Sequence, residues 1–199
     1  MTSIRTLAFL PVLACLLPAQ TSPPPTPNNQ EVDHHKLVQL MGFEVTGTRL
    51  PPDSIIRLSG LRPGQMVNYD IISQACKRIT STGLVSAVDY AYNVGPGKPG
   101  VLLSLKVWDE LPLLPARIYP VEDAEPIWRC LQTADPIFTR EMPNTEAAIR
   151  FYSVNINRCL ANAHATDEYA APTAVCDARG KTSAIAFTIR KKRGRPTTP

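Results

Sequence analysis

The sequence is poor in the residues that most often build metal sites and nucleophilic centres. It has three histidines and five cysteines in 199 residues, no Cys-x-x-Cys pair, and no histidine at a zinc-ligand spacing from a cysteine. A structural zinc site is therefore not expected, and we expect no cofactor. His34, His35 and His164 have no serine or cysteine motif around them, so we expect these side chains to be solvated.

Carboxylates occur in pairs, but the pattern does not favour acid–base chemistry. The acidic groups at 109–110, 122–125 and 167–168 fall at the ends of predicted elements or in loops, where charged side chains are usually solvated. Asp123 and Glu125 are instead expected to favour a helix N-terminus through its dipole. The sequence therefore does not indicate an enzyme.

Long apolar runs are absent beyond the N-terminus. Leu7 to Leu17 follows the basic Arg5 and leads to Pro18-Ala19-Gln20, which is the layout of a secretory signal peptide. We expect residues 1–20 to be a cleaved leader and the protein to be exported. A lipobox-like stretch ending at Cys15 offers lipidation and membrane anchoring as the alternative. No later run reaches the length of a membrane-spanning helix.

The excess of basic charge lies mainly in the last ten residues. The chain has 21 Lys and Arg against 17 Asp and Glu, and the body without leader and tail is close to neutral. The basic residues of the predicted tail, 191–199, include Lys191, Lys192, Arg193 and Arg195. The segment 193–196 resembles an AT-hook core, which binds the A·T minor groove. Because an exported protein meets no chromosome, we expect this tail to be solvated and to contact anionic lipid or a protein partner rather than nucleic acid.

Four cysteines remain after removal of the leader, and three of them fall in the second half. An oxidising compartment favours one disulfide among these three. Cys130 and Cys159 are predicted on the inner faces of adjacent helices, and Cys176 is the competing partner for either. Cys76 is expected to remain an apolar core thiol.

The first predicted folded unit, residues 39–110, follows a proline-rich linker at 21–38. A strand of alternating apolar residues ends at Gly47, and a first short helix is predicted to end at Gly60. Asn68 is the predicted N-cap of a second helix. The period then changes to two, which predicts a hairpin through the glycine-rich loop 95–100. The unit is therefore read as β-α-α-β-β.

These residues resemble a POTRA domain, the periplasmic repeat of outer-membrane barrel-assembly and two-partner secretion proteins. The resemblance is carried by Gly47 after the first strand, by Leu61 and Gly64 between the helices, by Gly83 before the second strand, and by the segment "VWDE" at 107–110. It covers roughly residues 40–110 and contains no catalytic signature.

The same order of elements recurs after a short stiff join, "LPLLP", at 111–115. A strand from Ala116, a helix over 126–132, a longer helix capped by Asn144 or Thr145, and a hairpin of 173–177 with 183–190 are predicted. The unit 116–190 lacks the glycines of the first unit and resembles a divergent second POTRA unit, with a different α+β cap as the alternative. The predicted fold class is α+β, with tandem β-α-α-β-β modules, each a three-stranded mixed sheet with two helices on one face.

The resemblance implies a binding surface on the second strand of the first unit. In POTRA domains this strand is the usual open edge, and an extended segment of another protein can pair with it. A solvated edge without a partner is the alternative. The implied edge residues are Val85, Ser86, Ala87, Val88, Asp89, Tyr90 and Ala91.

The resemblance also suggests a non-enzymatic scaffold or accessory of outer-membrane assembly or secretion, periplasmic or associated with the outer membrane. Its expected partners are an outer-membrane barrel or the unfolded clients of one. No run of alternating strands follows that could form a barrel, so we expect the protein to lack its own pore. A membrane-anchored POTRA protein of the division-septum type is the second interpretation, and DNA binding through the tail is the third.

Overall fold

The computed structural model describes residues 36–94 and 100–192. The predicted leader with Cys15, the linker up to residue 35, the two histidines at 34 and 35, most of the hairpin loop, and the tail from Arg193 lie outside the described residues. Within the described part of the chain, no helix is both long and apolar enough to span a bilayer.

The first half of the described chain forms one mixed sheet with two helices. Its elements are β1 (Val38–Thr46), α1 (Pro52–Ser59), β2 (Met66–Val67), α2 (Tyr69–Thr80), β3 (Val85–Val94) and β4 (Val101–Asp109). β1 pairs in parallel with β4 and antiparallel with β2, and β3 pairs antiparallel with β4. The strand order is therefore β2-β1-β4-β3.

Local sequence signals place the two helices of this half. α1 ends at Gly60, whose φ of 69° is the left-handed conformation that glycine adopts without strain. α2 begins after Asn68, whose side chain accepts a hydrogen bond from the Ile71 N–H at 3.0 Å. Both predicted helix boundaries are confirmed.

The second half repeats the arrangement. Its elements are β5 (Leu113–Tyr119), α3 (Val121–Ala134), β6 (Glu141–Pro143), α4 (Glu146–Asn162), β7 (Glu168–Cys176) and β8 (Thr182–Lys191). β5 pairs in parallel with β8, and the strand order is β6-β5-β8-β7. Thr145 is the N-cap of α4 and accepts from the Ala148 N–H at 3.1 Å. One of the two predicted caps for this helix is thereby confirmed.

The predicted α+β class with tandem modules is confirmed, but each sheet has four strands rather than three. The additional strands, β2 and β6, contain two and three residues and lie between the helices of their units. Segments this short carry no readable alternation, so the sequence pattern could not reveal them. They form because β1 and β5 offer each of them a free edge.

Three other elements of the second half are longer than predicted. β5 begins at Leu113, inside the predicted join, and pairs there with β6. α3 begins at Val121, so Pro126 lies inside the helix rather than at its start. β7 begins at Glu168 and runs through Pro172. A proline is tolerated there because β7 is an edge strand, which leaves alternate N–H groups unused.

The helices and the sheets enclose an apolar core in each half. Fully buried side chains include Leu40, Ile72 and Leu103 in the first half and Tyr152 and Phe187 in the second. Burying each such side chain contributes roughly 1.5–3 kcal/mol to the free energy of unfolding. Val88 and Tyr90 of β3 pack against this core.

Candidate functional site

β3 is an open edge of the first sheet. It pairs with β4 on one side, and in the described chain no strand pairs with its other side. Its ten residues, VSAVDYAYNV, contain no proline or glycine. An exposed strand of this length presents a row of backbone N–H and C=O groups to any extended segment that approaches it.

The side chains of β3 divide between the two faces of the sheet. Ala87, Asp89 and Ala91 lie on the outer face, and Val88 and Tyr90 are directed toward the helices and pack against the core. Val85 is buried, and the register with β4 shifts between Val85 and Ala87 because Ser86 is an extra residue. The seven residues predicted at this edge therefore lie in one continuous strand, whose outer face carries mostly small side chains.

The other sheet edges are less suited to pairing with a partner. β2 and β6 contain two and three residues, which limits each to very few backbone hydrogen bonds. β7 has nine residues, but Pro172 interrupts its row of donors. Among the described strands, β3 is thus the long edge without a proline.

A cluster of tyrosines lies beside this edge. The Tyr69 and Tyr90 rings have their centroids 6.3 Å apart, and those of Tyr90 and Tyr92 are 5.8 Å apart. Burial, together with the neighbouring phenols of Tyr92 and Tyr69, raises the pKa of Tyr90 to about 12. Burial also raises the pKa of Tyr92. The phenols of Tyr90 and Tyr92 are therefore neutral at physiological pH, and the cluster offers aromatic area to a chain lying along β3.

Asp89 is the charged residue of the outer β3 face. The backbone N–H of Tyr90 donates to Asp89 Oδ1 at 2.8 Å. Lys106 lies directly opposite Asp89 on β4, but its ammonium sits over the Trp108 ring, 5.1 Å from the centroid. The Asp89 carboxylate is thus bound to the edge backbone of its own strand.

The joint between the two halves centres on Asp135, which sequence analysis missed. Arg57 of α1 donates to both carboxylate oxygens, at 3.0 and 3.1 Å, and the buried Ser54 hydroxyl donates to Oδ1. The Ile137 N–H donates to the same carboxylate at 3.0 Å. Burial alone would raise the pKa of Asp135, but the hydrogen bonds from Arg57, Ser54 and Ile137 outweigh burial and lower it. No local pattern connects residues 78 or more positions apart.

A second contact across the joint uses the start of α4. The hydroxyl of its N-cap, Thr145, donates to the Gly83 carbonyl at 3.1 Å. Gly83 has a φ of 70°, and a Cβ at this position would lie 2.5 Å from the Ala148 nitrogen. The glycine that precedes β3 therefore also makes room for the second half to pack.

Asp109 corrects one expectation about the acidic pairs. It was predicted to be solvated at a strand end, but its side chain is only 14% exposed. The Thr48 hydroxyl, the Arg49 N–H and the Arg49 guanidinium all donate to it. Asp109 therefore ties the end of β4 to the turn that follows β1.

The predicted disulfide is present and joins Cys130 on α3 to Cys159 on α4, with Cα atoms 6.0 Å apart. Cys176, the competing partner, is free and exposed on β7. Cys76 is free and half-buried, and burial followed by the charge of Asp89 raises the pKa of its thiol. A raised pKa keeps Cys76 protonated and unreactive at physiological pH.

The remaining candidate residues do not gather into a site. His164 is exposed, as predicted, at the end of α4. Lys191 and Lys192 are also exposed, and Lys192 Nζ donates to the Thr166 carbonyl at 2.7 Å. In the described ranges, no group of three histidine, cysteine or acidic side chains could hold a metal ion.

No protein-family model and no curated protein matches the sequence. Among solved structures, the chain is similar to POTRA1-2 of the periplasmic domain of Omp85 from Anabaena, at 14% identity over 80% of this chain and 99% of that one, with a TM-score of 0.38. It is similar to the N-terminal domain of Omp85 from Thermosynechococcus elongatus at 15% identity over 77% of this chain, with a TM-score of 0.38. The chain spans 63% of that structure, less than two thirds of its length. A third similar structure is POTRA3-5 of BamA from Haemophilus influenzae, at 14% identity over 79% of this chain and 68% of that one, with a TM-score of 0.35.

Apart from the added short strands β2 and β6, the element order of each half is the predicted β-α-α-β-β order. The described chain thus has the module order that the resemblance to POTRA domains implied. Within the first POTRA-like unit, β3 occupies the edge that the resemblance implied.

Proposed function

We propose that this protein is an exported scaffold or accessory of the bacterial envelope that holds extended polypeptide segments by strand addition to β3. The observation that carries the proposal is the unpaired ten-residue edge of β3, which is free of proline. Backbone hydrogen bonds along this edge would provide affinity, and the small outer side chains would accept many sequences. The chemistry is binding, so the proposed role is non-enzymatic.

The proposed setting is outer-membrane protein assembly or secretion, in the periplasm or at the outer membrane. It rests on the POTRA resemblance of residues 40–110 and on the signal-peptide layout of residues 1–20. In this setting the partner of β3 is an outer-membrane barrel protein or one of its unfolded clients. The exposed Lys191 and Lys192 at the start of the tail would add contact with an anionic membrane surface.

The joint supports this role by fixing how the edge is presented. Asp135 and Thr145 of the second half bind Ser54, Arg57 and Gly83 of the first half. Gly83 lies just before β3 in the chain. A strand held in this way is preorganised, which lowers the entropy that a partner must lose on binding.

Site-specific photo-crosslinking in intact cells tests the proposal. A photoreactive residue is placed at Ala87 of β3, and the control carries the same residue at Thr173 of β7, which is exposed on the edge strand of the second sheet. We expect Ala87 to capture an envelope polypeptide that Thr173 does not capture. Positions 89 and 91, on the same face, should capture the same partner because an added strand runs alongside all three.

Capture from another surface would contradict the proposal. If Ala87, Asp89 and Ala91 capture nothing while Val154 on the exposed side of α4 captures a partner, binding does not use the β3 edge. Mass spectrometry of the mature N-terminus tests the setting separately. Cleavage near Gln20 supports export as a free protein, a lipidated Cys15 supports an anchored one, and an intact N-terminus contradicts both.

A further inference from the structure

On β3, one backbone N–H is already hydrogen-bonded to a side chain of the same strand. In an antiparallel pair, alternate residues direct their N–H and C=O groups toward the neighbouring strand, and the residues between them direct these groups away from it. The Tyr90 N–H donates to Asp89 Oδ1 at 2.8 Å. An aspartate that binds the N–H of the next residue fills a donor that an incoming strand would need. Strand addition at Tyr90 therefore requires the Asp89 carboxylate to leave.

The lysine directly across the sheet from Asp89 is engaged with another side chain. Lys106 is the cross-strand neighbour of Asp89, at a distance of roughly 5 Å between Cβ atoms for such a pair. Its ammonium lies over the Trp108 ring instead. No ion pair between Asp89 and Lys106 occurs within 4.0 Å in the described structure. An Asp89 carboxylate displaced from the Tyr90 N–H would therefore be stabilised most by a lysine or arginine on the arriving chain.

We propose that Asp89 guards the β3 edge and selects the strands that add to it, in favour of segments with lysine or arginine opposite Asp89. In the free protein the carboxylate covers the Tyr90 N–H and blocks pairing there. A basic side chain on the arriving strand draws the carboxylate away and releases this N–H for the new ladder. An acidic side chain at the same place meets a like charge and leaves the N–H covered. The inference deepens the proposed strand addition and rests on it.

Amide hydrogen exchange of the free protein tests, without any partner, whether the Asp89 carboxylate covers the Tyr90 N–H. This role of Asp89 is called the guard below. NMR exchange rates of the Tyr90 N–H are compared in the wild type, Asp89→Ala and Asp89→Asn. The matched control is Asp70→Ala, which removes an exposed aspartate from the first turn of α2. We expect Asp89→Ala to accelerate exchange at Tyr90 by about three- to tenfold, the equivalent of one modest hydrogen bond. The amide of Asp89→Asn keeps an acceptor oxygen, so this variant should accelerate exchange less, and Asp70→Ala should not change it.

Two peptides test the selection. An eight-residue peptide of alternating valine and lysine is compared with one of alternating valine and glutamate, so that each register with the charged side chains on the outer face places a charge opposite Asp89. Binding is measured by calorimetry, and protection of the β3 amides locates it. On the wild type and on Asp70→Ala, we expect the lysine peptide to bind about five- to tenfold more tightly. On Asp89→Ala this preference should largely disappear, and the glutamate peptide should bind better than it does to the wild type.

The two experiments separate failure of the guard from failure of strand addition. Equal Tyr90 exchange in the wild type and Asp89→Ala overturns the guard. Equal binding of both peptides to the wild type, with protection of the β3 amides, also overturns the guard and leaves strand addition standing. If neither peptide protects the β3 amides of any variant, strand addition fails, and the guard fails with it.

Discussion

Arg57 of the first half donates through Nη2 to Asp135 Oδ1 of the second half at 3.0 Å, across 78 positions of sequence. Ser54 and the Ile137 N–H bind the same carboxylate, so Asp135 is held by donors from both halves. A partly buried carboxylate with several hydrogen-bond donors stabilises the contact between the two halves. Loss of any one donor would leave its charge poorly solvated. The two halves are therefore joined by specific polar contacts as well as by the chain.

Replacing Asp135 should weaken the protein more than replacing a surface acid. Asp135→Asn removes the charge that Arg57 binds, and we expect a loss of about 1–3 kcal/mol in the free energy of unfolding. Glu146→Gln is the matched control, since Glu146 pairs with Arg150 on the exposed surface of α4 and should contribute only about 0.3–0.5 kcal/mol. Urea denaturation measures both. Equal losses would show that the joint adds nothing beyond a surface ion pair.

Low pH should weaken the contact that Asp135 makes between the two halves and so lower the stability of the protein. The pKa of Asp135 is lowered in the folded protein, because its hydrogen bonds from Arg57 and Ser54 outweigh burial. A lowered pKa gives stability that is present above the unfolded value of about 3.9 and is lost as the pH falls through the folded value. Below about pH 4, the wild type should therefore lose more stability than Asp135→Asn. Denaturation midpoints at pH 7 and at acid pH check this, and parallel curves for the two proteins would contradict it.

Gly83 should tolerate no side chain. Gly83→Ala places a Cβ in a backbone conformation with positive φ and 2.5 Å from both the Ala148 nitrogen and the Thr145 hydroxyl. Gly64→Ala is the control, because its φ of 86° imposes similar strain while nothing lies within 4 Å of its Cβ. We expect the control to cost about 1 kcal/mol and Gly83→Ala to cost clearly more. Thermal unfolding compares them, and equal shifts in Tm would mean that the close packing against α4 is not maintained in solution.

The Cys130–Cys159 disulfide should contribute substantially to stability. The cysteines are 29 positions apart, and closing a loop of this length restricts the unfolded chain by about 3–4 kcal/mol in the loop-entropy account. We expect Cys130→Ser with Cys159→Ser to lower the free energy of unfolding by up to this amount. Cys176→Ser, which changes a free and exposed thiol, is the control and should have little effect. Peptide mapping that finds Cys176 in the bridge would contradict the connectivity.

Tyr90 should titrate at unusually high pH. Burial and its tyrosine neighbours raise the pKa of Tyr90 to about 12, so the neutral phenol is favoured by the fold. The resulting stability is fully present below about pH 10 and is lost as the pH rises toward 12. Phenolate absorbance should show one late-titrating tyrosine fewer in Tyr90→Phe than in the wild type. The variant should also lose less stability over the same alkaline range, and identical titration curves would place Tyr90 outside the cluster.

Elements with their own boundary signals were predictable from the sequence. Asn68 and Gly60 stand at helix ends because capping depends on one side chain or one backbone conformation. α3 was predicted too short because Pro126 resembled a helix start, whereas Pro120 precedes the actual first turn. β7 was predicted too short because a proline usually interrupts a strand, and only its place at a sheet edge permits Pro172.

The candidate site also contains features that the sequence indicated and features that it did not. The alternation of Val85 to Asn93 indicated a strand with small outer side chains, and the structure places that strand at a sheet edge. The bond from the Tyr90 N–H to Asp89 had no signal in the sequence, because an aspartate in a strand does not show whether its carboxylate turns back to the backbone. Asp109 was predicted to be solvated and Asp135 was missed for a different reason, because their arginine partners lie 60 and 78 positions away in the chain.

The sequence by itself determined the order of strands and helices, the main caps, and the placement of cysteines on facing helices. These features depend on periodicity and on neighbours a few residues away, which a single chain displays directly. Only the tertiary structure decided the short strands β2 and β6, the choice of Cys159 over Cys176 as the partner of Cys130, and the joint that Asp135 closes. Each of these depends on groups far apart in sequence, which meet only after the sheets and helices have packed.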